Sequence, residues 1–194
     1  TEDNKNILFD RGIPEPFSGI YAAGWAHYEK FKEYAKDYEI DGCRVTDIWP
    51  AGLTSDGPFT LACEVLGTTE VCVLIYEEPE YIGRLLDFLA AAIIARVKAF
   101  RKAWGVPQKL DGWFMADDSI ALLSTDMYEH LVLPRHKRMV DELLTENGAL
   151  DIHLCGDATR HYPVIQKELR CRSFDTGFPV KHGELCKTLG PETT

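Results

Sequence analysis

His153 and Cys155 stand two residues apart in an otherwise apolar stretch. On an extended strand, side chains at i and i+2 project from one face, so imidazole and thiol would converge. One imidazole nitrogen and one thiolate sulfur are half of a tetrahedral zinc site. Gly156 follows at once, lets the backbone turn away and leaves room for a substrate. Three carboxylates, Asp117, Asp118 and Asp175, are candidates to supply an oxygen ligand or to orient a ligand from behind. The spacing alone leaves a second reading open, in which Cys155 is a buried apolar side chain and His153 bonds a backbone carbonyl. Asp117-Asp118 likewise reads either as a pocket carboxylate pair or as a polar turn.

These residues fall where strands should end. The chain opens with an arm over residues 1–24, broken by Gly12, Pro14, Pro16 and Gly19. A helix is expected over 25–38, with Tyr28, Phe31, Tyr34 and Ala35 on one stripe, then a strand over 43–49. A short helix over 59–66 precedes a long one over 79–104, whose Ile82, Leu85, Leu86, Leu89, Ile93, Val97 and Phe100 share a face. Acidic Glu77, Glu78 and Glu80 near its start and basic Lys98, Arg101 and Lys102 near its end complement the helix dipole. A buried strand is expected over 112–116, then a helix over 126–146 with an Asp126–Glu129 capping box, a kink at Pro134 and a stop at Asn147-Gly148. A strand over 149–155, a helix over 161–169, a strand over 173–175 and a helix over 183–189 complete the pattern. Alternating strands and helices imply a parallel sheet, either doubly wound or a TIM (β/α)8 barrel. Both place chemistry at the carboxyl ends of strands. That rule, and no further observation, makes Asp117, Asp118 and Asp175 the candidate catalytic residues beside the His153–Cys155 metal pair.

The remaining composition narrows the classes. The chain has 194 residues, a formal net charge of −10 and a hydrophobic share of 45%. This describes a globular protein without the basic footprint of a nucleic-acid binder. The longest apolar run, 88–95, is too short to span a bilayer, and no cationic and apolar leader opens the sequence, so a cytoplasmic setting is expected. Six cysteines lack any Cys-x-x-Cys pair and read mostly as buried thiols. No Gly-x-Gly-x-x-Gly, Walker loop or Gly-x-Ser-x-Gly elbow is present. His136, among Arg135, Lys137 and Arg138, is expected on a solvated basic face, and His161 and His182 on the surface. Trp113, Phe114 and Met115 are expected in the core.

Several segments together resemble the uroporphyrinogen decarboxylase superfamily. Gly57-Pro58-Phe59-Thr60-Leu61-Ala62 with Leu66-Gly67 is similar to its Gly-x-Pro-x-Thr-Leu segment, and Glu78-Pro79-Glu80 with Leu85-Leu86-Asp87 to the start of its long helix. Asp117-Asp118 and the run from Leu133 to Arg138 follow in family order. His153-Leu154-Cys155-Gly156-Asp157-Ala158-Thr159 resembles the His-x-Cys-Gly motif of its methyltransferase branch. The resemblance implies a (β/α)8 barrel and, for that branch, a zinc-dependent, corrinoid-linked methyltransferase that activates a thiol. Methylcobalamin or another corrinoid, a corrinoid protein and a small-molecule substrate are the implied cofactor and partners, with no nucleic acid and no membrane. His153 and Cys155 match the first two zinc ligands. The branch's later Cys would lie beyond Thr194, and neither Cys171 nor Cys186 stands in its place. Two alternatives remain: a metal-free lyase of the tetrapyrrole decarboxylase type, and a barrel that binds a corrinoid or small ligand without catalysis.

A complete barrel of this kind takes about 250 residues. Only four or five βα units can be counted over residues 25–194. The expectation is a partial barrel that belongs to a longer polypeptide, because a half barrel would leave two parallel edges unpaired.

Overall fold

The computed structural model describes residues 5–190 and Thr193. Contacts group the chain into two compact units, Thr1–Thr54 with Ala95–Gln108, and Ser55–Ile94 with Lys109–Thr194.

In the first unit, α1 (Ile7–Arg11) and α2 (Gly19–Ala35) precede an antiparallel ribbon of β1 (Glu39–Ile40) and β2 (Cys43–Arg44). Phe100 is its anchor: Phe17 stacks on that ring at 4.4 Å between centroids, and Trp25 meets it edge-on at 5.4 Å. Arg96 donates to the carbonyls of Gly52 and Thr54 at 2.7 and 3.1 Å. The expected arm is therefore not wholly irregular, since α1 and the start of α2 lie within it. Of the predicted helical stripe only Tyr28 is buried, whereas Phe31 and Tyr34 are exposed. The predicted strand over 43–49 shrinks to Cys43–Arg44, because its alternation finds no partner beyond the short ribbon.

The second unit contains the sheet. Its strands are β3 (Ser55–Asp56), β4 (Leu110–Ala116), β5 (Leu144–Leu154) and β6 (Cys171–Thr176), in that spatial order and all parallel. Between β3 and β4 run α3 (Pro58–Leu66), α4 (Thr68–Glu77) and α5 (Pro79–Trp104). Between β4 and β5 come a 3-10 turn (Asp118–Leu122), α6 (Thr125–Met127), a π-helical turn (Tyr128–Val132) and α7 (Leu133–Leu143). A second 3-10 turn (Thr159–His161) and α8 (Tyr162–Leu169) join β5 to β6, and α9 (His182–Leu189) follows. This is the α/β order of part of a (β/α)8 barrel. The apolar face of α5 is buried as its periodicity predicts, from Ile82 to Phe100.

One sheet face buries Trp113, Met115, Leu150, Ile152 and Leu154. Phe114, alternate to these, lies on the other face and is exposed, which corrects its placement in the core. Arg101, a basic residue at the end of α5 as expected, is buried and bonds the Gln108 carbonyl at 2.8 Å. Loss of hydration lowers its pKa to about 10.

Two boundaries differ from expectation for local reasons. The helix expected over 126–146 ends at Leu143, and its N-cap is Ser124, whose hydroxyl accepts from the Met127 N–H at 3.2 Å. Pro134 sits in the first turn of α7, where its missing N–H costs nothing, directly after the π-helical turn. Asn147-Gly148 does not end a helix but lies inside β5, where Gly148 lets the Leu110 carbonyl approach closely; an added Cβ would come within 3.0 Å of it. The helix α4 was not foreseen, nor was β3, whose two residues are too few for a periodic signal.

Candidate metal centre

Strand register brings the chemistry together. Ala116, His153 and Asp175 are Cα partners across β4, β5 and β6, so they share one face at the carboxyl ends. Backbone pairing continues one residue beyond the strands: the Asp117 N–H donates to the His153 carbonyl at 3.3 Å, and the Gly177 N–H to Leu154 at 3.2 Å. Gly177 is packed so closely on the Cys155 backbone that any Cβ there would overlap its carbonyl.

At this edge Asp175 Oδ2 lies 2.7 Å from His153 Nδ1. A carboxylate on Nδ1 holds the proton there and leaves the Nε2 lone pair facing away. That nitrogen lies 2.7 Å from Cys155 Sγ and 3.8 Å from Asp118 Oδ1. Asp118 Oδ1 also accepts from the Cys155 N–H at 2.6 Å, which fixes the carboxylate beside the thiol. Nitrogen, sulfur and oxygen donors of His153, Cys155 and Asp118 thus lie within 4.8 Å of one another. His153 is partly buried and Cys155 is exposed, so the cluster opens to solvent.

The local field is negative. Desolvation, then the charge and hydrogen bond of Asp118, then the charge of Asp175, push the Cys155 thiol above its ordinary range. Without a cation the sulfur keeps its proton; a divalent cation reverses that preference. The donor set suits zinc, since imidazole, thiolate and carboxylate are its three ordinary protein ligands, and Asp175 supplies the outer carboxylate that metal-bound histidines commonly have.

Asp117 is not part of this cluster. It is fully buried and turned the other way, with Oδ1 accepting from the Thr60 N–H and hydroxyl, each at 2.7 Å. Its Oδ2 meets the Phe59 N–H at 3.4 Å and His136 Nε2 at 2.8 Å. The carboxylate therefore sits on the N-terminus of α3, which favours a negative charge. Gly57 is required there, because a Cβ would overlap the carboxyl group. His136 Nδ1 in turn lies 3.1 Å from the Tyr128 hydroxyl, whose ionisation burial pushes well above the ordinary range.

His136 is thus fully buried, not on a solvated basic face. The signal for this was its helical spacing with Leu133, Val140 and Leu143, three buried residues of α7. His161 is also buried, not on the surface, and its Nε2–H donates to the Ile120 carbonyl at 3.0 Å. His182 is exposed as expected. Arg160, which the sequence reading did not single out, spends its guanidinium on the carbonyls of Asp157, Ala121 and Leu123.

The family model described as uroporphyrinogen decarboxylase (URO-D) matches residues 47–188. The methylated-thiol–coenzyme M methyltransferase of Methanosarcina mazei is 30% identical over 122 residues, 61% of this chain and 31% of that protein. The chain thus spans about a third of this curated relative. A solved structure described as a methyltransferase from Methanosarcina mazei matches with a TM-score of 0.58 at 17% identity, over 72% of this chain and 40% of that one. At this identity the structural match speaks for the fold. Among the described residues no single helix is long and apolar enough to cross a membrane.

Proposed function

The chain belongs to the uroporphyrinogen decarboxylase family, and on that premise we propose that it is a zinc-dependent, corrinoid-linked methyltransferase that activates a small thiol substrate in the cytoplasm. The observation that carries this reading is the convergence of His153 Nε2, Cys155 Sγ and Asp118 Oδ1 within 4.8 Å. A tetrapyrrole decarboxylation without metal would leave that nitrogen–sulfur–oxygen set without a task. The methyltransferase named among the relatives supports the same branch.

His153 and Cys155 would hold the zinc, with Asp118 as the oxygen donor in place of the family's later cysteine. When bound, the metal supplies acidity: a thiol beside it loses its proton at neutral pH and becomes a nucleophile. Asp175 keeps the His153 ring turned so that Nε2 faces the cluster. The open sheet face next to His153, with Ala116 and the exposed Phe114, is where a small substrate would sit. Asp117 takes no part in the chemistry but fixes α3 and the chain entering Asp118. A methylated corrinoid carried by a partner protein would supply the methyl group, and the thiolate held beside His153 and Cys155 would be the group that accepts it.

The test is metal content. The complete protein, purified without added metal, is expected to carry zinc in about equimolar amount and to give an anomalous-scattering peak between His153 and Cys155. Cys155→Ser should abolish both. A zinc-free protein unaffected by Cys155→Ser returns the family's metal-free chemistry, or ligand binding without turnover, to first place.

A further inference from the structure

Asp118 opens a 3-10 turn of only five residues, Asp118–Leu122. Such a turn has poor hydrogen-bond geometry and cannot hold its own position, so contacts from outside it set where Asp118 stands, the Cys155 N–H on its carboxylate being one of them. The N-terminal end is anchored by buried Asp117. The C-terminal end leaves carbonyls without helical partners, and a cationic side chain caps them well. Arg160 does this. Its Nε and Nη2 donate to the Leu123 carbonyl at 2.9 and 2.7 Å, and Nη2 also donates to Ala121. Its Nη1 stays on its own loop, at 2.7 Å from the Asp157 carbonyl.

The guanidinium therefore bridges the loop that follows Cys155 to the turn that begins with Asp118. Two neighbours reinforce the bridge. The adjacent His161 bonds the Ile120 carbonyl, and Gly156 lies so close to Ala121 that an added Cβ would come within 2.9 Å. The Arg160 guanidinium bonds backbone carbonyls of Ala121, Leu123 and Asp157, not His153 or Cys155, and the residue is exposed.

We infer that Arg160 is a positioning residue of the metal centre: by tying the Asp118 turn to the Cys155 loop, it holds the oxygen donor against the nitrogen and sulfur donors. His153 and Cys155 need no such device, since β5 alone places them side by side. The inference rests on the proposed metal site and adds a residue that acts through Asp118.

The test is a double-mutant cycle on Zn2+ affinity in the complete protein, measured by chelator competition, with Co2+ absorption reporting the thiolate ligand. Arg160→Gln is expected to weaken Zn2+ binding by about ten- to a hundredfold, the usual cost of losing a supporting residue of a metal site. Arg160→Lys, which keeps the charge but not the fork, should give a smaller loss in the same direction. In an Asp118→Ala background both changes should lose their effect. An equal weakening with and without Asp118 would mean a general structural role and overturn the inference, as would full affinity in Arg160→Gln. Failure of the unmutated protein to bind Zn2+ would overturn the metal site itself, and this inference with it.

Discussion

Two carboxylate–histidine pairs lie on either side of one peptide bond, and they differ in almost everything else. Asp117 and His136 are fully buried, and their hydrogen bonds to α3 and Tyr128 leave no donor or acceptor over for a ligand. Asp118, His153 and Asp175 are open to solvent, share their space with a thiol and leave one imidazole nitrogen turned toward it. The first pair is closed and holds the fold; the second is open and can hold a ligand. Polar residues become a site when their bonds to the protein are incomplete, and a scaffold when they are complete.

That contrast can be broken by substitution. The largest effect is expected from Cys155→Ala: Zn2+ binding should fall by well over a hundredfold, while the metal-free protein keeps its unfolding free energy to within about 0.5 kcal/mol. Metal titration and urea unfolding on the same sample check both halves. Asp117→Ala should do the reverse, costing about 3–5 kcal/mol of stability, because it leaves His136 and the start of α3 without their buried partner. Asp175→Asn tests whether the open pair works as an outer support. About ten- to a hundredfold weaker Zn2+ binding, at unchanged melting temperature, is the expected outcome. Loss of stability without loss of binding would assign Asp175 to the scaffold instead.

The smallest effect comes from acid, and it falls on the buried side. His161 has its pKa lowered to about 4 by burial first and by the charge of Arg160 second. In the unfolded chain the ring takes up its proton near 6.5. Its contribution is therefore complete above pH 6.5, declines as pH falls toward about 4, and stays at its minimum below that. The full shift would cap the loss at about 3 kcal/mol, and solvent screening reduces the expected loss over this window to about 1–2 kcal/mol. Denaturant unfolding across the window, compared with His161→Asn, should show a flatter profile for the variant.

The open cluster was largely legible in the sequence and the closed one was not. A strand fixes the relation of His153 to Cys155 by a two-residue spacing, and the strand-end rule brought Asp118 and Asp175 to the same edge. The same rule could not separate Asp117 from Asp118, because which of two adjacent carboxylates turns inward depends on α3, whose first residues lie almost sixty positions earlier. Basic neighbours masked His136, although its spacing along α7 marked the buried stripe. Arg160 carried no local signal at all, since its partners are backbone carbonyls of another loop. Periodicity was reliable over the 26 residues of α5 and failed over 43–49, where no neighbouring strand rewards alternation.

Gly177 sets a limit on how this site can change over evolutionary time. Its lone hydrogen faces the Cys155 carbonyl, and a methyl group there would have to displace the thiol-bearing backbone. Variation that keeps the cluster is therefore channelled to positions with room to vary, beginning with the almost wholly exposed Phe178 next to it. A lineage could change that neighbour many times, while position 177 stays at the smallest residue available.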